Sequence, residues 1–189
     1  MKYMIYRLLD TQYAIAIKPV DIYAYLWKPS FSCVHPPDLD GKFRYWGIAY
    51  LLKLFGNHDY RVLYLLSGSK VVHRSVVMPR YFRWPFMNRD DLQVSSTWTD
   101  PSYRGRGYAT YSLTLIAQLF SKQGRSIWYV TMENNIPSIK VCLSAGFQLY
   151  NYAERKNFLG ISVLGKLVEE KIEPESVFQR YAHYLVKHG

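Results

Sequence analysis

The chain has 189 residues, a net charge of +10 and a hydrophobic content of 49%, which is typical of one folded domain. No apolar run approaches the roughly 18 residues of a membrane-spanning helix, and the first 20 residues lack the pattern of a signal peptide. Two cysteines, Cys33 and Cys142, cannot form a disulfide framework or a zinc site. We therefore expect one cytoplasmic domain over residues 1–189 without a metal.

The excess of basic residues favours an anionic ligand. The chain carries 24 Lys and Arg against 14 Asp and Glu, and such a field attracts phosphate-bearing small molecules, nucleic acid or an acidic membrane surface. The basic residues are spread along the chain, without the Lys/Arg block that marks a binding tail. Nucleic acid is therefore disfavoured as a partner but not excluded.

The first half of the chain predicts strands and one short helix. A strand is expected at 4–9, and the apolar run at 47–55 predicts a short buried helix. The stretches 61–66 and 70–78 around Ser67-Gly68-Ser69 predict a β-hairpin. Two irregular stretches are expected to be loops, at 28–37 and 79–91.

The second half predicts alternating strands and helices. Strands are expected at 92–99 and 127–132, and apolar residues recur at helical spacing over 107–123. A second helix over 135–145 has Pro137 in its first turn and ends before Gly146. The remaining predicted elements are strands at 147–155 and 158–167, a turn at Lys156-Asn157 and a terminal helix at 175–187. This order predicts a mixed α/β (α+β) domain.

The segment from Tyr103 to Ala109 (YRGRGYA) is suited to binding an anion. It lies between a predicted strand and a predicted helix, where free N–H groups and the positive end of the helix dipole point the same way. Gly105 and Gly107 let the backbone approach a phosphate, and the arginines add charge. The segment lacks the lysine of a Walker loop and the third glycine of a dinucleotide fingerprint. The sequence therefore predicts a pyrophosphate-binding loop of another type.

The spacing Arg104-x-x-Gly107-x-Ala109 resembles motif A, R/Q-x-x-G-x-G/A, of the GCN5-related N-acetyltransferases, the GNAT superfamily. Asn135-x-x-Ser138 and Ala145-Gly146-Phe147 follow in the order of that family, so the resemblance covers residues 92–150. It implies a mostly antiparallel mixed sheet, flanked by helices, that splays open between its central parallel strands. Acetyl-CoA would lie in that gap, in a cofactor core at about 92–150, with acceptor-side elements at about 21–91.

The resemblance also implies roles for ten cofactor-binding residues. The backbone of the loop would hold the pyrophosphate, and the backbone at Trp98 and Thr99 would pair with the pantetheine arm and polarise the thioester carbonyl. Asn135 and Ser138 would contact the arm, with helix capping as an equal alternative. The loop residues are Arg104, Gly105, Arg106, Gly107, Tyr108 and Ala109.

By the same resemblance, a primary amine would attack the thioester directly, which requires proton transfers. Many relatives carry a tyrosine as general acid four residues before the Gly-Phe pair, where this chain has Cys142. The thiol could donate a proton, or it could be a small buried residue. Asp91 is the first candidate for the general base, with Glu133 and His73 as further options. Each has a structural alternative, a solvated carboxylate or a packed histidine.

The acceptor is expected to contact the loop at 79–91, where arginines alternate with aromatic residues. Such a mixture suits a planar or phosphorylated ligand, or else forms a hydrophobic plug. The patterns at 72–75, 83–87 and 91–93 resemble a GNAT subgroup of bacterial polysaccharide and O-antigen gene clusters, which implies an amino sugar on a nucleotide carrier. A protein- or tRNA-directed acetyltransferase, a non-catalytic acyl-CoA-binding module and a homodimer stay open as alternatives.

Overall fold

The computed structural model describes residues 2–8, 18–122, 124–158 and 161–170, together with Ala182 and Val186. In these residues a 3-10 turn at Pro101–Tyr103 accompanies strands and α-helices. The strands are β1 (Lys2–Leu8), β2 (Tyr23–Trp27), β3 (Arg61–Ser67), β4 (Lys70–Pro79), β5 (Leu92–Thr99), β6 (Ile127–Met132), β7 (Gln148–Phe158) and β8 (Ile161–Glu169). The helices are α1 (Phe43–Leu51), α2 (Tyr108–Phe120) and α3 (Ile136–Ser144).

All of these strands join one sheet in the order β2-β3-β4-β5-β6-β1-β7-β8. Each neighbouring pair is antiparallel except β5 and β6, which run parallel. A parallel pair needs a crossover, and α2 supplies it. The predicted fold class, an α+β domain with a mixed and mostly antiparallel sheet flanked by helices, is confirmed.

Side-chain alternation along the strands builds a core on each face of the sheet. On β4, Val77 packs with the buried α2 residues Leu113 and Ile116, whereas Val76 and Met78 pack with Phe43 of α1. The spacing that predicted α2 is therefore the spacing of its buried face. Full burial of one such side chain stabilises the fold by roughly 1.5–3 kcal/mol.

The first helix differs from its prediction in position and in burial. It spans Phe43–Leu51 instead of 47–55, and only Phe43 and Gly47 of the helix are buried. Gly47 is required there, because a Cβ atom would lie 1.9 Å from the carbonyl oxygen of Val34. The apolar run predicted a buried helix, but Leu52 and Leu54 follow the helix and are exposed.

Two further predictions about elements are corrected by the structure. β2 was not predicted, because it is an edge strand with Tyr23 and Tyr25 exposed and therefore lacks an alternating pattern. The predicted turn at Lys156-Asn157 is wrong, because both residues lie within β7. The predicted helix at 175–187 lies outside the described residues, apart from Ala182 and Val186. No helix in the described part of the chain has the length and apolar character to cross a membrane.

Candidate active site

The sheet opens between β5 and β6. Their parallel pairing ends at Val94 and Tyr129, although both strands continue beyond these residues. Ser96 has a positive φ of 48°, and the register between β4 and β5 shifts at the same place, which defines a β-bulge. The bulge bends β5 away from β6, so the predicted splay at the central parallel strands is present.

A cavity of about 460 Å³ occupies this opening, a size suited to a small molecule. Its walls come from β5, the loop before α2, the first turn of α2, β6 and α3. We refer to it as the central cleft. Eight of the ten predicted cofactor-binding residues line the central cleft: Trp98, Thr99, Arg104, Gly105, Gly107, Tyr108, Ala109 and Ser138.

The N-terminus of α2 opens into the central cleft without a capping side chain. Gly105 and Gly107 have φ values of 75° and 77°, a conformation that glycine adopts without strain. Gly107 is the N-cap, so no side chain bonds the first-turn N–H groups, and the first turn holds no acidic residue. Tyr108, Ala109 and Thr110 line the cavity. Uncapped N–H groups at the positive end of a helix suit an anion such as a pyrophosphate.

The two loop arginines point to different places. Arg104 lines the central cleft, and its Nε donates to the carbonyl oxygen of Thr99 at 3.3 Å. The guanidinium of Arg106 donates to the carbonyl oxygen of Ser102 at 3.2 Å and lies 5.0 Å from the ring of Tyr103. The Arg106 side chain is therefore directed at Ser102 and Tyr103 and is not among the residues that line the cleft, which leaves its backbone N–H as the group that can contact a pyrophosphate.

Asn135 caps a helix and does not line the central cleft. Its side-chain oxygen accepts a hydrogen bond from the N–H of Ser138 at 3.3 Å, which makes it the N-cap of α3. This contact favours the capping alternative over cofactor contact. Ser138 itself lines the cleft.

Sequence reasoning missed Tyr129, whose ring lies in the wall of the central cleft. Tyr129 is 5% exposed, and the side chains of Ser138 and Thr97 hydrogen-bond its hydroxyl. Burial raises the pKa of Tyr129, partly offset by these hydrogen bonds, so the phenol stays protonated at neutral pH. The available signal was its place in the middle of β6, the strand facing the predicted gap. Lys140 and Ser144 of α3 were also missed.

The structure places Asp91, the first candidate for the general base, in a buried and hydrogen-bonded position away from the central cleft. Its carboxylate is fully buried at the start of β5, the end opposite to the central cleft, and it does not line the cavity. It accepts hydrogen bonds from the N–H of Asn88 at 2.8 Å, the N–H of Ser126 at 2.9 Å and Trp128 Nε1 at 2.8 Å. These bonds join the loop at 79–91 to β6.

The other two predicted catalytic residues also lie outside the lining of the central cleft. Cys142 is fully buried in the core beside Ile139 and Phe147, and burial raises the pKa of its thiol well above the ordinary value. This environment favours the packing alternative. Glu133 is half-buried at the end of β6, where its N–H donates to the carbonyl oxygen of Lys2 at 3.4 Å.

His73 lies in a buried polar network behind β5. Its Nδ1 is 2.8 Å from Thr99 Oγ1 and its Nε2 is 3.0 Å from Ser75 Oγ. Ser75 in turn contacts Ser112 of α2 at 3.1 Å and Thr97 at 3.4 Å. Burial lowers the pKa of His73 to about 3, so the ring is neutral. Through Thr97 and Thr99 the network supports the wall of the central cleft.

The described lining of the central cleft contains two charged side chains, Arg104 and Lys140, and both are positive. No carboxylate or imidazole is among those lining residues. The electrostatics therefore suit an anionic ligand, and a proton leaving the site must pass to a hydroxyl or to water.

This combination of a splayed parallel strand pair and a glycine-rich helix start agrees with comparisons with known proteins. The sequence model of the Acetyltransferase (GNAT) family matches residues 21–147, more than half of the chain. The chain therefore belongs to the GNAT family of acetyltransferases. No curated protein sequence matches it significantly.

Solved structures support the same fold. A GNAT-family acetyltransferase from Colwellia psychrerythraea superposes with a TM-score of 0.53 at 12% identity, over 80% of this chain and 53% of that one. A Drosophila protein superposes with a TM-score of 0.54 at 10% identity, over 80% of this chain and 48% of that one. The chain thus spans about half the length of these structures. Neither description names an acceptor, and the polysaccharide subgroup gains no support from them.

Proposed function

We propose that this chain is an acetyl-CoA-dependent N-acetyltransferase that transfers an acetyl group to a primary amine. The observation that carries the proposal is the uncapped, glycine-rich N-terminus of α2, which opens into the gap between β5 and β6. Two features meet in that cavity. The helix start suits the pyrophosphate of acetyl-CoA, and the free strand edge suits its amide-bearing arm.

The residues of the central cleft fit this cofactor. The first-turn N–H groups of α2, together with Arg104, would hold the pyrophosphate. Beyond Val94, the β5 edge that faces β6 has no β6 partner, so its backbone groups at Trp98 and Thr99 can pair with the pantetheine arm. Bound acetyl-CoA would supply an acetyl thioester, which is activated toward attack by an amine.

Tyr129 would hold the proton that the leaving thiolate needs. Its buried phenol stays protonated at neutral pH, and the hydroxyls of Ser138 and Thr97 fix its position in the cleft wall. The described lining holds no basic side chain that could accept a proton, since Arg104 and Lys140 are both cations. We therefore assign removal of the amine proton to water and proton return to Tyr129.

We propose an amino sugar on a nucleotide carrier as the acceptor. The net charge of +10 supports an anionic substrate. The loop at 79–91, with its arginines and aromatic rings, offers stacking and charge-assisted contacts to a nucleotide.

Two assays test the proposed function. Calorimetric titration with acetyl-CoA measures cofactor binding, and a thiol-release assay over nucleotide-linked amino sugars measures transfer. Turnover on one sugar would support the full proposal. Tight binding without turnover on any amine would favour a non-catalytic acyl-CoA-binding module. Salt-sensitive binding of tRNA would favour a tRNA-directed enzyme.

A further inference from the structure

A second cavity of about 700 Å³ lies on the face of the sheet that carries α1, with Phe43 and Trp46 of that helix in its wall. At the β5 bulge, the successive residues Ser95 and Ser96 line this second cavity. The next two residues, Thr97 and Trp98, line the central cleft. Successive residues of one short stretch of β5 therefore belong to the walls of both cavities, which places the second cavity beside the bulge.

The wall of the second cavity opposite this strand is aromatic. Trp46, Tyr81 and Trp84 all line it. The ring centroids of Trp46 and Tyr81 lie 4.9 Å apart with the planes at 55°, and those of Tyr81 and Trp84 lie 5.9 Å apart with the planes at 87°, so the three form one aromatic cluster of differently oriented rings. A planar ligand ring can stack on the face of one of these rings and meet the edge of another.

The charges of the second cavity are positive. Lys42 and Arg83 are the charged side chains among its described lining residues, and no carboxylate is among them. Lys42 also pairs with Asp40 at 3.1 Å, on the exposed surface. A ligand with a negative group is therefore favoured over a neutral or cationic one.

Gln93 lines this cavity and carries a hydrogen-bond acceptor without a partner among the described residues. The acceptor is its Oε1, and the residue is 2% exposed. A buried carbonyl without a partner costs free energy, which a ligand N–H would recover. Gln93 lies two residues before Ser95 on the same face of β5, so a donor bound to it lies next to the bulge.

We propose that the second cavity binds the acceptor, and that the acceptor is a primary amine carrying a planar ring and a negatively charged group. The ring packs against Trp46, Tyr81 and Trp84, the negative group faces Lys42 and Arg83, and the amine donates to Gln93 Oε1. The amine nitrogen bonds to the acetyl carbon as the carbon–sulfur bond breaks. One N–H proton passes to water, and the sulfur takes a proton from Tyr129, which water then restores. This inference rests on the proposed function, since it names the acceptor of that reaction.

The first test measures binding of probes by quenching of tryptophan fluorescence, which requires no turnover. The probe 4-(aminomethyl)benzoate combines amine, ring and charge, whereas glucosamine has no planar ring. We expect the benzoate to quench with at least tenfold higher affinity than glucosamine, and we expect the signal to be lost in the W46F/W84F double variant. If uridine monophosphate displaces the benzoate, the ring and the charge of the natural acceptor belong to a nucleotide. If it does not displace the benzoate, the acceptor is an aromatic acid. Either result agrees with the acceptor class proposed here, and the second would replace the nucleotide-linked amino sugar proposed above.

The second test isolates Gln93. Q93L should weaken binding of 4-(aminomethyl)benzoate about tenfold and change binding of 4-methylbenzoate, which has no amine, less than twofold. Q118L, at an exposed glutamine of α2, is the matched control and should change neither. If Q93L does not fold, the wild-type protein must still bind the amine at least tenfold more tightly than 4-methylbenzoate.

Tighter binding of glucosamine than of the ring-bearing acids would overturn the proposed acceptor class. Equal effects of Q93L on both benzoates would overturn the role of Gln93. In either case, intact acetyl-CoA binding would leave the proposed function standing. Loss of acetyl-CoA binding by the wild-type chain would contradict the proposed function itself.

Discussion

His73 and Thr99 face each other across β4 and β5, and their side chains meet at 2.8 Å between Nδ1 and Oγ1. His73 is fully buried, and because burial disfavours the charged imidazolium, the ring stays neutral while it contacts Thr99 and Ser75. Thr99 also lines the central cleft, so the contact with His73 holds a residue of the cleft wall in place.

His73 should make the protein less stable in mild acid. Its pKa is about 3 in the folded protein and 6.5 when unperturbed, so the unfolded chain binds more protons between these values. The free energy of unfolding should therefore fall as the pH drops below 6.5. Between pH 7 and pH 5 the loss from this residue is about 2 kcal/mol.

Urea denaturation of the wild type and of His73→Gln at pH 7 and pH 5 measures this contribution. The variant should be less stable at pH 7, because Thr99 and Ser75 lose a partner, but its stability should depend less on pH by about 2 kcal/mol. Equal pH dependence in the two proteins would show that His73 is not held neutral.

Arg104 should contribute to cofactor binding, whereas the Arg106 side chain should not. Arg104 lines the central cleft, while Arg106 contacts Ser102 and Tyr103 outside it. Arg104→Ala should raise the Kd for acetyl-CoA about tenfold, about 1.4 kcal/mol. Arg106→Ala is the matched control and should change the Kd less than threefold. A larger increase in Kd for Arg106→Ala than for Arg104→Ala would mean that the Arg106 side chain, and not that of Arg104, contacts the cofactor.

Asp91 should matter for folding and Asp90 should not. Asp91→Ala leaves the buried donors of Asn88, Ser126 and Trp128 without their acceptor, so we expect a loss of about 3 kcal/mol in the free energy of unfolding. Asp90→Ala changes the exposed neighbouring residue, and substitutions at exposed sites usually change the free energy of unfolding by no more than about 0.5 kcal/mol. We expect an effect of that size or smaller. A stable but inactive Asp91→Ala protein would restore Asp91 as the base.

Tyr129 should act in the transfer step and Cys142 should not. Tyr129→Phe removes the phenolic proton next to the cleft, so kcat should fall at least about a hundredfold, the lower end of the range of about 10²–10⁴ for general acid–base catalysis. Its affinity for acetyl-CoA should change less than twofold. Cys142→Ala, in the adjoining core, should keep most of the activity. Thiol-release kinetics with the first active acceptor measure both, and a hundredfold loss in Cys142→Ala alone would identify the thiol as the acid.

The sequence predicted the parts of the fold that repeat a local pattern. The spacing of Leu113, Ile116 and Phe120 gave α2, and the glycines at 105 and 107 gave the helix start with its anion-binding geometry. Both features depend on neighbours in the chain. The edge strand β2 and the early start of α1 depend instead on contacts with distant residues, such as Gly47 against Val34.

The same distinction separates the predicted from the missed site residues. The loop from Arg104 to Ala109 is contiguous, so one motif located it. Tyr129 and Thr97 come from two different strands, and the burial of Asp91 depends on donors such as Trp128 of β6. No local pattern reports which carboxylate will be buried against a strand that is distant in sequence.

Calorimetric titration of the wild-type protein with acetyl-CoA tests the central claim most directly. If the N-terminus of α2 and the edge of β5 form the cofactor site, acetyl-CoA binds with micromolar affinity and a stoichiometry of one per chain. Gly107→Trp places a bulky residue at a positive-φ position, so this variant should fold but no longer bind acetyl-CoA. No heat of binding at high micromolar acetyl-CoA would contradict the claim, and the segment from Arg104 to Ala109 would then be a helix start without a ligand.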